Sequence, residues 1–233
     1  MDEDEELRRA AEASELEAKL RGDVIVEVSP AQSLPGAHAG KRRVVLESGL
    51  ICIAKPDGGC PDWPHAAACE AAAWIVARSL RLPCLVPVTV GREIPLPEGG
   101  SVFAALQAWQ EPYDADRRER FPESEQRWAA VFDYLIQQGD RDGHNWLVYL
   151  DDEGQPHLKL TDHGYAFGAP GRPLRSTFYT EHRGLAFDAQ MRAALRGLQD
   201  VRFAKDLETL LPRELISALL ERVELLLNLG HLP

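Results

Sequence analysis

Between Gly139 and Gly168 the chain reads GDRDGHNWLVYLDDEGQPHLKLTDHGYAFG, which sets five aspartates, three histidines and one asparagine around two short apolar runs. Three readings compete for such a set: a solvated hairpin, a transition-metal cluster, or the magnesium end of a phosphoryl-transfer site. The runs WLVYL and HLKL flank the turn signal DDEGQP and read as an antiparallel hairpin. An antiparallel pair brings its outer residues side by side, so Asn145 and Asp162 fall at the same open end. An Asn amide oxygen and an Asp carboxylate suit magnesium, which takes oxygen donors and leaves room for substrate phosphates. Asp140, five residues before Asn145, is then free to accept the proton of an attacking hydroxyl. His144 and His163 each stand beside one of these oxygen ligands and lack the i, i+4 spacing of helical zinc ligands, so they read as supporting histidines.

A phosphoryl-transfer site also needs a cation for the α- and β-phosphates. Lys55 ends the strand-like run ICIAKP, where an apolar frame can hold it. Glu70 lies in a mostly apolar helix beside alanines and Trp74, and a carboxylate there is costly unless paired. Lys55 is its natural partner. Phosphate cradling by backbone N–H groups is weakly signalled, because SLPGAHAGK offers Gly36, Gly40 and the Ser33 hydroxyl but no G-x-G-x-x-G. FAALQAWQ, from Phe103 to Gln110, is the candidate connector beside an adenine slot, its small side chains leaving room for a flat ring. Arg172, Arg175 and Arg183 follow the last aspartate and are read as solvated rather than as a phosphate or acidic-substrate site.

The elements that must hold these residues can be read from periodicity. Residues 2 to 21 are charged, Ala/Leu-rich and free of proline, which predicts a solvated helix or a frayed leader. DVIVEV, RRVVLE and ICIAKP predict three antiparallel strands, His65 to Leu82 a helix stopped before Pro83, and LVPVTVGREI and VFAALQAW two further strands. Glu123 to Gln138 carries Trp128, Val131, Phe132, Leu135 and Ile136 at helical spacing and delivers the chain to Asp140. Two closing helices are expected at about 188–198 and 212–229. The order is β-β-β-α-β-β, then helix, hairpin and helices, an α+β pattern.

This order, with IAKP, ACEAAAWIVARSL, VPVTV, FDYLIQQGDRDGHNWL and LTDHGYAFG, resembles the phosphatidylinositol 3- and 4-kinase-like branch of the protein-kinase fold, in particular its small bacterial members with GDR-x3-N and D-x-G-x-x-F motifs. The resemblance runs from about Val24 to Phe167. It implies that Lys55 orients phosphates, Glu70 anchors Lys55, Asp140 is the catalytic aspartate, and Asn145 and Asp162 bind the metal of an ATP–magnesium complex. Asp142 stands where the lipid-kinase pattern has histidine, so it either shares the base role or caps the loop.

The formal charge of -11 excludes broad binding to nucleic acid or anionic lipid, and no apolar run approaches a membrane span. The start, MDEDEELRR, is the reverse of a secretion signal and predicts a cytoplasmic protein. Cys52, Cys60, Cys69 and Cys84 are expected as reduced thiols, since the Cys60–His65–Cys69 stretch lacks a CxxC knuckle. The expectation is a two-lobed kinase, with a helical leader (1–22), a sheet lobe (23–108) and a helical lobe (109–233). It would transfer the γ-phosphoryl group of ATP to a hydroxyl of a protein or small molecule. Adenylyl transfer, or nucleotide binding without turnover, are the alternatives the same residues allow.

Overall fold

The computed structural model describes residues 3–31, 40–57, 63–109, 121–143, 145–151, 154–168 and 171–233. The turn containing Ser33 and Gly36, Cys60, Gln110 and His144 lie outside them. The order is α1 (Glu3–Gly22), β1 (Ile25–Val28), β2 (Arg42–Leu46), β3 (Ile51–Pro56), α2 (Ala66–Ser79), β4 (Thr89–Pro95), β5 (Ser101–Ala108), α3 (Glu123–Ile136), β6 (Trp146–Leu150), β7 (Pro156–Leu160), α4 (Thr177–Glu181), α5 (Ala189–Gly197), α6 (Val201–Leu207) and α7 (Arg213–Leu229).

Five strands form one antiparallel sheet in the order β1-β2-β3-β5-β4. Strand side chains alternate between faces, and here Val44, Leu46, Cys52, Ala54, Val90, Ala104 and Leu106 fall on the buried side. Lys55, on the alternate face, pairs across to Ala105 of β5. β5 is hydrogen-bonded to β3 on one side and β4 on the other as far as Ala108 and Gln107 respectively. Phe103 to Ala108 are therefore strand and not connector, because two ladders claim their backbone groups.

α1 departs from the solvated helix its composition predicts. Ala13 and Leu20 enter the sheet core together with Trp74 of α2, and Arg92 of β4 donates to the carbonyls of Leu20 at 2.8 Å and Asp23 at 3.1 Å. Only a narrow stripe is apolar, too narrow for periodicity to show against so many charges.

A second core joins α2, α3, the β6–β7 hairpin and the closing helices, with Ala72, Val76, Val131, Phe132, Leu135, Val148, Leu160, Phe178 and Leu219 buried in it. α2 thus serves both cores, Trp74 on one side and Cys69 and Val76 on the other. The closing region holds four helices rather than two. α4 and α6 span five and seven residues, too short for a hydrophobic period, and each is set instead by an N-cap side chain, Ser176 for Tyr179 N–H and Asp200 for Arg202 N–H. Among the described residues no helix is long and apolar enough to cross a membrane.

The hairpin register pairs Trp146 with Leu160, and beyond it Thr161 N–H donates to the Asn145 carbonyl at 3.0 Å. Its far end is anchored by His157, whose Nδ1 lies 2.5 Å from Glu125 Oε1 and whose Nε2 lies 3.1 Å from Asp151 Oδ2. The Glu125 hydrogen bond outweighs burial and raises the His157 pKa above its ordinary value. A raised histidine contributes stability that is complete below the unfolded pKa, near 6.5, and is lost as pH rises through the folded value. As pH rises from below about 6.5 through the raised folded value, the thermal stability of wild type is expected to fall relative to His157→Gln; parallel melting curves for the two proteins as pH rises above about 6.5 would refute the bridge.

Candidate active site

α3 ends at Gln137, whose left-handed backbone (φ 50°) turns the chain out of the helix. Gly139 follows at a point of close approach: a Cβ there would lie 2.7 Å from Arg172 Cβ and 3.0 Å from the Tyr165 carbonyl. The loop bearing Asp140 and the loop bearing Asp162 are therefore in van der Waals contact because residue 139 has no side chain.

Gln138, fully buried, clasps the two aspartates. Its Nε2 donates to Asp140 Oδ1 at 2.6 Å and to the Asp162 carbonyl at 3.1 Å. Burial, and then the charge of Asp162, push the Asp140 carboxyl up to about 6. Asn145 donates from Nδ2 to the Asp140 carbonyl at 2.6 Å, which leaves its Oδ1 without a partner among the described residues. Asp162 has φ 59°, a conformation open to Asp and Asn at modest cost, and its carboxylate lies 3.6 Å from Lys41 Nζ. Asp142 is exposed; its N–H donates to the Asp140 carbonyl and its carbonyl accepts from Asn145 N–H, so its backbone forms the turn between them.

Lys55 Nζ meets Glu70 Oε1 at 2.8 Å, the two side chains 11% and 3% exposed. Burial alone would raise the Glu70 carboxyl; Lys55 and His163 outweigh it and hold the group well below the usual carboxylate range. Burial likewise pulls Lys55 down, and Glu70 and Asp162 more than reverse it, so Lys55 stays a cation. His163 Nδ1 lies 3.5 Å from Glu70 Oε2, and its ring packs edge-on against Phe132. Glu70 is thus held from β3 by one oxygen and approached from the Asp162 loop at the other. Trp63 Nε1 adds a 2.9 Å bond to the Gly164 carbonyl.

The donor set fits a magnesium ion better than a soft metal: one free amide oxygen and one carboxylate, with phosphates to complete the shell. Among the described residues no three His, Cys, Asp or Glu side chains converge as a metal cluster. Cys52, Cys69 and Cys84 carry free thiols. Arg172 stacks 4.3 Å over the Tyr165 ring, close enough for its charge to be felt at Asp140, and Arg183 lies 5.8 Å from the Tyr179 ring.

Neither a protein-family model nor a curated protein matches the sequence. Solved structures match in fold. Golgi casein kinase aligns over 93% of this chain and 73% of its own, with a TM-score of 0.62 and 13% identity, and Golgi casein kinase with Mn/ADP bound gives 0.61 and 13% over 93% and 74%. The proinflammatory kinase CtkA of Helicobacter pylori gives 0.54 and 13% over 88% of this chain and 93% of its own. The chain has a protein-kinase-like fold, α+β and two-lobed.

Within this kinase-like fold, sequence reasoning missed the residue that organises the loops. Arg141 is 1% exposed. Its Nη1 donates to the carbonyls of Asn145, at 2.5 Å, and Thr161, and its Nε lies 3.2 Å from both oxygens of Asp133. Asp133 is fully buried and also accepts from Ser176 Oγ at 2.7 Å. One guanidinium therefore ties the Asp140 loop to the hairpin end that carries Asn145 and Asp162. An aspartate within the apolar run VFDYLI was the available signal, on the same reasoning that applies to Glu70. Ser176→Ala removes a hydrogen bond to a buried charge and the cap of α4, and is expected to cost about 2 kcal/mol, read as a melting temperature lower by roughly 4–8 °C. An unchanged melting temperature would show that Asp133 needs only Arg141.

Proposed function

We propose that the protein is an ATP- and magnesium-dependent phosphotransferase that moves the γ-phosphoryl group to a hydroxyl. The observation that carries this reading is the clasp of Gln138 on Asp140 and Asp162, which puts a candidate base and a candidate metal ligand on one rigid mount with Asn145 Oδ1 beside them. Lys55, fixed by Glu70, would hold the α- and β-phosphates, and the half-buried Ile53 and Val45 on the same sheet face offer an apolar wall for adenine. Asn145 and Asp162 would hold the metal, which when bound neutralises charge on the transferring phosphoryl group. Asp140, its carboxyl raised toward neutrality, would orient the acceptor hydroxyl and take its proton. In this reading residues 23–108, with α1 added, form the nucleotide lobe and 109–233 the acceptor lobe.

The fold neighbours named as a casein kinase favour a protein hydroxyl as acceptor, with a small hydroxylated metabolite the other class. Asp162, Gly164 and Phe167 keep the D-x-G-x-x-F pattern that resembles the phosphatidylinositol 3- and 4-kinase-like branch, while the charge of -11 argues against work at an anionic membrane. The deciding experiment incubates the protein with γ-labelled or α-labelled ATP, magnesium and a mixed cell extract, with and without a chelator. Chelator-sensitive transfer of γ-label is the expected result. Transfer of α-label instead would mean adenylyl transfer, and binding without transfer of either would mean a nucleotide-binding module.

A further inference from the structure

Glu17 is a buried carboxylate remote from Asp140, 6% exposed on a helix where Arg8, Glu12, Glu15 and Arg21 are exposed. Its Oε2 accepts from Trp74 Nε1 at 2.8 Å and Arg78 Nη1 at 2.9 Å, and its Oε1 accepts from Arg21 Nη2 at 2.8 Å. These donors outweigh burial and keep the carboxyl below its ordinary pKa.

Trp74 and Arg78 belong to α2, one and two turns beyond Glu70. Seven of the fourteen residues of α2 are alanine, and its N-cap, His65, makes no side-chain cap bond. Small side chains interdigitate shallowly, so the alanines resist sliding or rotation of the helix less than larger core residues would. Trp74, Ile75 and Val76 seat it in the cores, and polar ties hold its two ends: Asp57 to Ala67 N–H at 2.8 Å toward the start, and toward the end Arg78 to Asp206 of α6 at 3.0 Å and the three bonds from Trp74 and Arg78 to Glu17. The N-terminal half of α1 gives less support, since a cavity of about 360 Å³ lies between Leu7, Ala10 and Ser14 on one side and Trp74, Arg78 and Pro83 on the other.

We infer that Glu17 is a positioning residue for the phosphoryl transfer proposed above: through Trp74 and Arg78 it fixes α2 at the depth where Glu70 meets Lys55. α1 is then part of the machinery and not a leader. The inference rests on that functional reading, but its geometry can be tested without turnover. Glu17→Gln keeps shape and an acceptor for Trp74 while losing the charge, and Trp74→Phe removes the N–H donor together with part of the buried ring; the second variant carries the test should the first fold poorly. In each full-length variant, amide exchange across 66–77 and labelling of Lys55 by an amine-directed reagent are measured, together with kcat and the KM for ATP. Exchange and Lys55 labelling are expected to rise about tenfold, and kcat to fall by a similar factor, for loss of one hydrogen bond to a charged group. Faster exchange confined to residues 3–22, with Lys55 labelling unchanged in both variants, would overturn the inference and leave Glu17 as a staple of α1 alone. Absence of transfer in wild type would count against the kinase reading, and exchange and labelling would still decide the role of Glu17.

Discussion

Asp162→Asn is expected to remove phosphoryl transfer almost entirely while leaving the fold in place. Asn tolerates the left-handed backbone that Asp162 adopts at φ 59° about as well as Asp does, so the loop needs no rearrangement. Two charge effects change: the candidate metal ligand loses its carboxylate, and Lys41, 3.6 Å away, loses its counter-ion. Metal-borne charge stabilisation is worth several kcal/mol in the transition state, so the rate should drop on the order of 10³-fold or more. Calorimetric titration with ATP should also lose most of its dependence on magnesium. A variant that retains most of its transfer activity would place the metal elsewhere. Asn is a sharper test than Ala at this position, because Ala would add left-handed backbone strain to the loss of charge.

Lys55 and Glu70 were legible for a local reason: a carboxylate in AAACEAAAW has to be paired, and one strand lysine lay near enough in the chain to do it. The hairpin was legible too, since alternation in WLVYL and HLKL fixes which ends meet. Arg141, Asp133 and Ser176 were not, although the same cost of a buried charge applies, because Ser176 lies 43 positions from Asp133 and no local pattern names it. The tie from Glu17 to Trp74 spans 57 positions and was hidden in the same way. In both cases a charge that composition assigns to solvent is desolvated by an element arriving from far along the chain. The strand VFAALQAW was legible from its pattern, but the connector reading laid over the same residues was not sound: Ala105 to Ala108 are held extended by ladders from β3 and β4, partners that arrive from elsewhere in the chain.

Asp140→Asn separates catalysis from stability by moving them in opposite directions. If Asp140 takes the proton of the acceptor hydroxyl, the amide should lower kcat by roughly 10²–10⁴-fold. The wild-type rate should decline as pH falls through about 6, where the raised Asp140 carboxyl gains a proton, and the residual rate of the variant should lack that limb. For stability the sign reverses. A carboxyl whose folded pKa lies above its unfolded value binds protons more readily in the native state, so above that value the ionised group costs stability, and the cost fades as pH falls toward 4. Asn keeps an acceptor for Gln138 Nε2 and carries no charge, so it should melt higher than wild type at pH 7.5 and level with it near pH 4. The site is partly open to solvent, which limits the gain to about 1 kcal/mol, or roughly 2–4 °C. A variant that is both inactive and less stable would instead mark Asp140 as a structural member of the Gln138 clasp, and the base would have to be sought at Asp142.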